Sequence, residues 1–77
     1  METITKTIKI NGLKSIYLLA SQAASVNGEV IITKGKYCVD GKSILGIFSL
    51  DTSSGIDVTY PADAVEFDKY ISQFVMD

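Results

Sequence analysis

Gly41-Lys42-Ser43-Ile44-Leu45-Gly46-Ile47-Phe48-Ser49-Leu50 is the stretch on which the reading of this chain turns. Asp40-Gly41 is a turn signal, and Ser43 stands where a side-chain oxygen can cap a short helix. That helix carries too many apolar residues for a single buried face. If Ile44, Ile47 and Leu50 turn inward, Leu45 and Phe48, three apart, meet on the outer side. The alternative is a rotation that buries Phe48 and leaves one ordinary exposed leucine.

Outward from this segment the chain alternates strands and helices. Upstream, Val30-Ile31-Ile32 and Tyr37-Cys38-Val39 are β-prone runs around Gly35, which predicts a tight hairpin with Cys38 as a small buried apolar residue. Downstream, Asp51-Thr52-Ser53-Ser54-Gly55 reads as loop. Ile56, Val58 and Tyr60 then alternate with Asp57 and Thr59, and Pro61 closes the strand. Asp63 and Glu66 have capping-box spacing, followed by an apolar stripe of Ala64, Phe67, Ile71, Phe74 and Val75. At the other end, Ile4, Ile8 and Ile10 alternate with threonines and Lys9. Lys6 interrupts the apolar side where a long side chain can snorkel out. Asn11-Gly12 stops that strand, Ser15 is the predicted N-cap, and Ile16, Leu19, Ala20 and Ala23 share one helix face until Asn27-Gly28.

The order is βαββαβα. Every strand alternates, so the sheet is expected to be antiparallel with one wet face, and the three helices to cover the other, an α+β two-layer sandwich. The 77 residues suffice for one small domain, residues 1–77. Apolar residues are 47% and charged residues 21%, a globular balance. A formal charge of −2 with no basic run argues against nucleic acid. One cysteine excludes an internal disulfide framework and fits a reducing compartment. Met1-Glu2-Thr3-Ile4-Thr5-Lys6 is unlike a signal peptide, and no apolar run approaches the ~20 residues that span a bilayer. A cytoplasmic protein is the expectation, with no membrane partner.

The segment at 42–50 resembles the Lys-Ser-Ile-Met-Gly-Val-Met-Ser-Leu segment of HPr, the histidine phosphocarrier of the bacterial sugar phosphotransferase system. Gln22-Ala23-Ala24-Ser25 resembles the family's Gln-Thr-Ala-Ser, and the element order matches HPr's open-faced β-sandwich along nearly the whole chain. The active loop departs. The family reads Gly-Leu/Ile-His-Ala-Arg-Pro, and this chain reads Gly12-Leu13-Lys14-Ser15-Ile16-Tyr17. Alignment on Gly12 places Lys14 at the histidine, Ile16 at the arginine and Tyr17 at the proline. The region is one residue short before Gln22, so Leu13 is the second candidate for the histidine position. The sequence contains no histidine at all.

In the family a neutral imidazole is the nucleophile, and helix N-terminal amides with an arginine hold the phosphoryl group. Lys14 is a protonated amine with a reference pKa of about 10.4, a poor nucleophile unless desolvated, and Ser15 has no histidine to act as its base. The resemblance therefore implies a degenerate active-site loop, Gly12 to Tyr17. It leaves Ser43 as the candidate regulatory phosphorylation site, as in catabolite-repression HPr, which also lacks the active histidine. A phosphate at a helix N-cap meets free amides and the positive end of the dipole. The other possibility is that Ser43 only caps.

Ile44, Leu45 and Phe48 correspond to the family's docking patch. Implied partners are HPr serine kinase and a catabolite control repressor, or phosphotransferase enzymes. The oligomeric state is open. No cofactor is implied, and Asp51, Asp57 and Asp63 lack metal-ligand spacing. No acid–base or nucleophile–base pair points to an enzyme. Two functions remain: an HPr-like regulator switched at Ser43, or a degenerate HPr-fold binding module without phosphorylation.

Overall fold

The computed structural model describes residues 2–75. In chain order it contains β1 (Thr3–Ile8), α1 (Leu13–Ala24), β2 (Ile31–Lys34), β3 (Tyr37–Asp40), α2 (Ile44–Phe48), a 3-10 turn (Thr52–Ser54), β4 (Ile56–Pro61) and α3 (Val65–Ser72). The sheet order is β1-β4-β2-β3, every neighbour antiparallel. This is the expected βαββαβα layout.

Strand alternation divides the sheet into two chemically distinct faces. Along one row Lys6, Val58, Ile32 and Val39 stand opposite one another. With Ile8, Ile56 and Tyr60 they make the inner face, where Ile8, Ile32, Ile56, Val58 and Tyr60 are all buried. The alternate row carries Thr7, Asp57, Thr33 and Cys38 on the open side. There, hydroxyls pair across strands: Thr5 with Thr59 at 2.8 Å, and Thr7 donating to Asp57 at 2.5 Å. The helices close the inner face with Ile16, Leu19, Ala20 and Ala23 from α1, Ile47 from α2, and Phe67 and Ile71 from α3. Phe67 meets the Tyr60 ring edge-on at 5.1 Å.

Lys6 does what a long side chain can do at an apolar position. Its Nζ reaches Asp68 Oδ1 on α3 at 2.8 Å and Ser72 Oγ at 2.9 Å. The buried Tyr60 donates its hydroxyl to the same carboxylate. The Lys6 bond, then the Tyr60 bond, hold Asp68 below the usual carboxylate range against an opposing burial effect. Burial first, and then Asp68, push the Tyr60 hydroxyl well above its ordinary value. A second strap is the C-terminal segment, where Lys9 N–H donates to Phe74 O at 3.2 Å and Val75 bridges Ile8.

Four local expectations are corrected. Cys38 is exposed, because on β3 the inward position belongs to Val39, opposite Ile32, and Cys38 pairs with Thr33 on the wet side. Ser15 is not an N-cap: α1 starts at Leu13, its first bond runs from Ile16 N–H to Gly12 O at 3.2 Å, and Gly12 is the cap residue. The Asp63/Glu66 capping box does not form, since Ala64 caps α3 without a side-chain bond. Glu66 and Asp68 instead lie in the first turn, near the positive dipole end. Finally, β2 begins at Ile31. Val30 is spent on the next loop, its carbonyl accepting Gly41 N–H at 2.7 Å. Among the described residues no helix is long and apolar enough to cross a membrane.

Candidate functional site

The approach to α2 is held by a compact set of bonds. Lys42 N–H donates to Asp40 Oδ1 at 2.9 Å and Ser43 N–H to Asp40 O at 3.0 Å. Lys42 Nζ ties back to Val26 O at 3.1 Å. Ser43, in extended backbone, then caps the helix as expected, its Oγ accepting Gly46 N–H at 3.1 Å. Gly46 faces Val39 of β3 so closely that a Cβ there would lie 3.2 Å from Val39 Cβ.

This anchoring decides which way α2 is rotated. Ile47 is fully buried, while Ile44 and Leu50 are half-buried against the core. Leu45 is 82% exposed and Phe48 46% exposed. The rotation that would have buried Phe48 is not the one adopted. Within the candidate patch, Ile44 offers the least surface, because it packs partly inward.

α2 packs against β3 and α1, and α1 brings its own exposed apolar residues. Gly12 takes a left-handed φ of 88°, which lets the strand exit turn directly into the helix. The segment Gly12 to Tyr17 is therefore a helix start rather than a loop. Leu13 and Tyr17, four apart, are 59% and 60% exposed, and Lys14 is exposed beside them. Ser15 is half-buried and Ile16 belongs to the core. Lys14 is the only charged side chain in α1 or α2. Sequence reasoning missed Leu18, 46% exposed, although helical spacing already excludes it from the Ile16, Leu19, Ala20, Ala23 face. Tyr37 is also 70% exposed, on the edge strand β3.

No nucleophile is paired with a base on this surface, and Ser43 Oγ is engaged as a cap. A cleft of about 280 Å³ lies elsewhere, lined by Ser25, Asn27, Asp63 and Glu66 among others, and includes none of Ser43, Leu45 or Phe48.

The fold and this helix arrangement have solved counterparts. The chain is similar to the phosphocarrier protein HPr from Bacillus anthracis strain Ames, with a TM-score of 0.75 and 27% identity over 99% of this chain and 100% of that one. The chain has an HPr-like fold. It is also similar to HPr-C-His from Thermoanaerobacter tengcongensis, with a TM-score of 0.69 and 28% identity over 97% of this chain and 91% of that one. No family model and no curated protein matches the sequence. In this HPr-like chain the segment that starts α1 holds no imidazole, because the sequence has none.

Proposed function

We propose that this HPr-like chain is a non-enzymatic docking protein of the phosphotransferase system or its regulatory branch, working in the cytoplasm as one domain over residues 1–77. The observation that carries the reading is the pair Leu45 and Phe48, left in water beside the Ser43 cap. Exposing a large apolar side chain forgoes about 1.5–3 kcal/mol of burial. Two of them on a five-residue helix are best accounted for by a partner that covers them. Ile44 completes the edge of this patch, and Leu13 and Tyr17 of α1 extend the apolar surface. Phosphotransfer through histidine is unavailable to a chain without histidine. Lys14, or Leu13 in the shorter alignment, takes the place of the nucleophile, and Ile16 replaces the arginine with a core anchor.

Ser43 is the proposed switch. Its phosphate would sit at the edge of the patch and change partner choice by charge. HPr serine kinase and a catabolite control repressor are the partners that the resemblance implies, with phosphotransferase enzymes as the alternative. The test is incubation with HPr serine kinase and nucleotide, followed by intact mass. One added phosphoryl group, absent in Ser43→Ala, supports the switch. No addition leaves the second reading, a binding module of HPr fold without phosphorylation. That reading has one observation in its favour, since Ser43 Oγ is half-buried and already accepts Gly46 N–H.

A further inference from the structure

The sheet has two edges, and only one is covered. Alongside β1 runs the C-terminal segment, with Lys9 N–H donating to Phe74 O at 3.2 Å and Val75 bridging Ile8. At the other edge β3 pairs with β2 and, among the described residues, with no further strand. We propose that the β3 edge is a self-association site, where a second copy of this chain adds its own β3 antiparallel about a two-fold axis at Cys38. The proposal goes beyond the Leu45–Phe48 docking reading and does not depend on it.

The backbone of β3 is free to pair at the right positions. The two-residue turn Gly35-Lys36 closes on Lys34 and Tyr37, which makes that pair a hydrogen-bonded one. Bonded pairs then recur at Ile32–Val39 and at Val30–Gly41, where Gly41 N–H donates to Val30 O at 2.7 Å. Cys38 and Asp40 fall between them, so their N–H and C=O groups turn away from β2. Asp40 O takes Ser43 N–H at 3.0 Å and keeps a second lone pair.

An axis at Cys38 also fixes the side-chain partners, and they are self-complementary. Tyr37, 70% exposed, stands opposite Val39 of the second copy, an aromatic–β-branched pair. Lys36 stands opposite Asp40, twice by symmetry. Lys36 is exposed and has no partner among the described residues. Asp40 commits only Oδ1, to Lys42 N–H at 2.9 Å. Beside it is a hollow of about 270 Å³, lined by Glu29, Ile31, Cys38 and Asp40 among others. An apolar floor with an acidic rim suits a lysine stem and its ammonium, and this register delivers Lys36 of the second copy there. Residues 36–40 alone form less than a standard interface, so the dimer is weak and depends on concentration.

Sedimentation velocity under reducing conditions, from about 10 µM to about 1 mM, tests this on the protein alone. The unmodified chain is expected to shift reversibly from monomer to dimer across that range. Lys36→Glu and Asp40→Lys each set like charges opposite one another and should each weaken association about tenfold. Mixing the two folded variants should restore it, because both cross-pairs then have opposite signs. Cys38→Pro removes the central N–H but no bond to β2, so it should abolish the dimer and leave the chain folded. Without any variant, the Cys38 and Asp40 amide resonances should move with concentration while Thr5 on β1 stays still. A chain monomeric throughout the range, a dimer indifferent to Cys38→Pro, a mixture of folded variants no tighter than its components, or resonances moving on β1 instead would each overturn the proposal. So would a chain that stays monomeric and takes an extended basic peptide on this edge.

Discussion

Two phenylalanines show how position sets the cost of the same side chain. Phe67 is 3% exposed and packs edge-on against Tyr60, whereas Phe48 is 46% exposed on α2. Truncating a buried ring removes its transfer energy and leaves a cavity, about 3–5 kcal/mol for Phe67→Ala. Phe48→Ala is expected to cost less than about 1 kcal/mol, because half its surface is already hydrated and nothing collapses around it. Chemical denaturation measures both, and a loss at Phe48 as large as at Phe67 would make Phe48 a core residue. Partner capture should show the reverse order, with Phe48→Ala weakening binding and a folded, conservatively altered Phe67 variant leaving it intact.

At the scale of elements, two joints set where the patch sits. The β3–α2 joint depends on Gly41, where a Cβ would lie 2.5 Å from Val30 Cγ1 and 3.0 Å from Val30 O. Backbone cannot yield as a side-chain tip does, so Gly41→Ala is expected to destabilise by about 1–3 kcal/mol. A neutral or stabilising result in thermal unfolding would show that this approach relaxes freely. The β1–α3 joint is the Lys6–Asp68–Tyr60 cluster, and it ties stability to pH at both extremes. Asp68 titrates lower in the folded chain than in the unfolded one, so its contribution is complete above the ordinary carboxylate range. It is lost as pH falls through the lowered folded value. Tyr60 holds its proton longer folded than unfolded, so stability declines as pH rises above about 10. Asp68→Asn should flatten the acid limb of a stability–pH curve, and Tyr60→Phe the alkaline limb. An acid limb that keeps its slope in Asp68→Asn would assign it to other carboxylates.

For the molecule as a whole, an HPr-like frame without histidine is expected to accept no phosphoryl group from phosphorylated Enzyme I, with a histidine-containing HPr labelled in the same assay. Lys14→His alone should recover little, since Ile16, 7% exposed, is part of the core and cannot supply a guanidinium. Label appearing on the unmodified chain at a rate comparable to HPr would sink this expectation.

The sequence by itself determined the element order, the two-faced sheet and most of the core. Period-2 and period-3.6 patterns are local properties of the chain, and burial of apolar surface enforces them. Ile16, Leu19, Ala20 and Ala23 could therefore be assigned to one face before any packing was known, and so could Ile56, Val58 and Tyr60. The Ser43 cap was legible for the same reason, since a cap is satisfied within four residues of chain. The face of Cys38, the start of α1 at Leu13 and the rotation of α2 were decided only by tertiary structure. Two of these rest on packing between elements: Cys38 on the hairpin register with Thr33, and α2 on the approach of Gly46 to Val39. Pairing the Asp68 carboxylate with Lys6, 62 residues away, likewise needed the folded sheet to bring them together. A one-residue change in such a contact reverses which side chain meets water, and no local pattern in the chain records it.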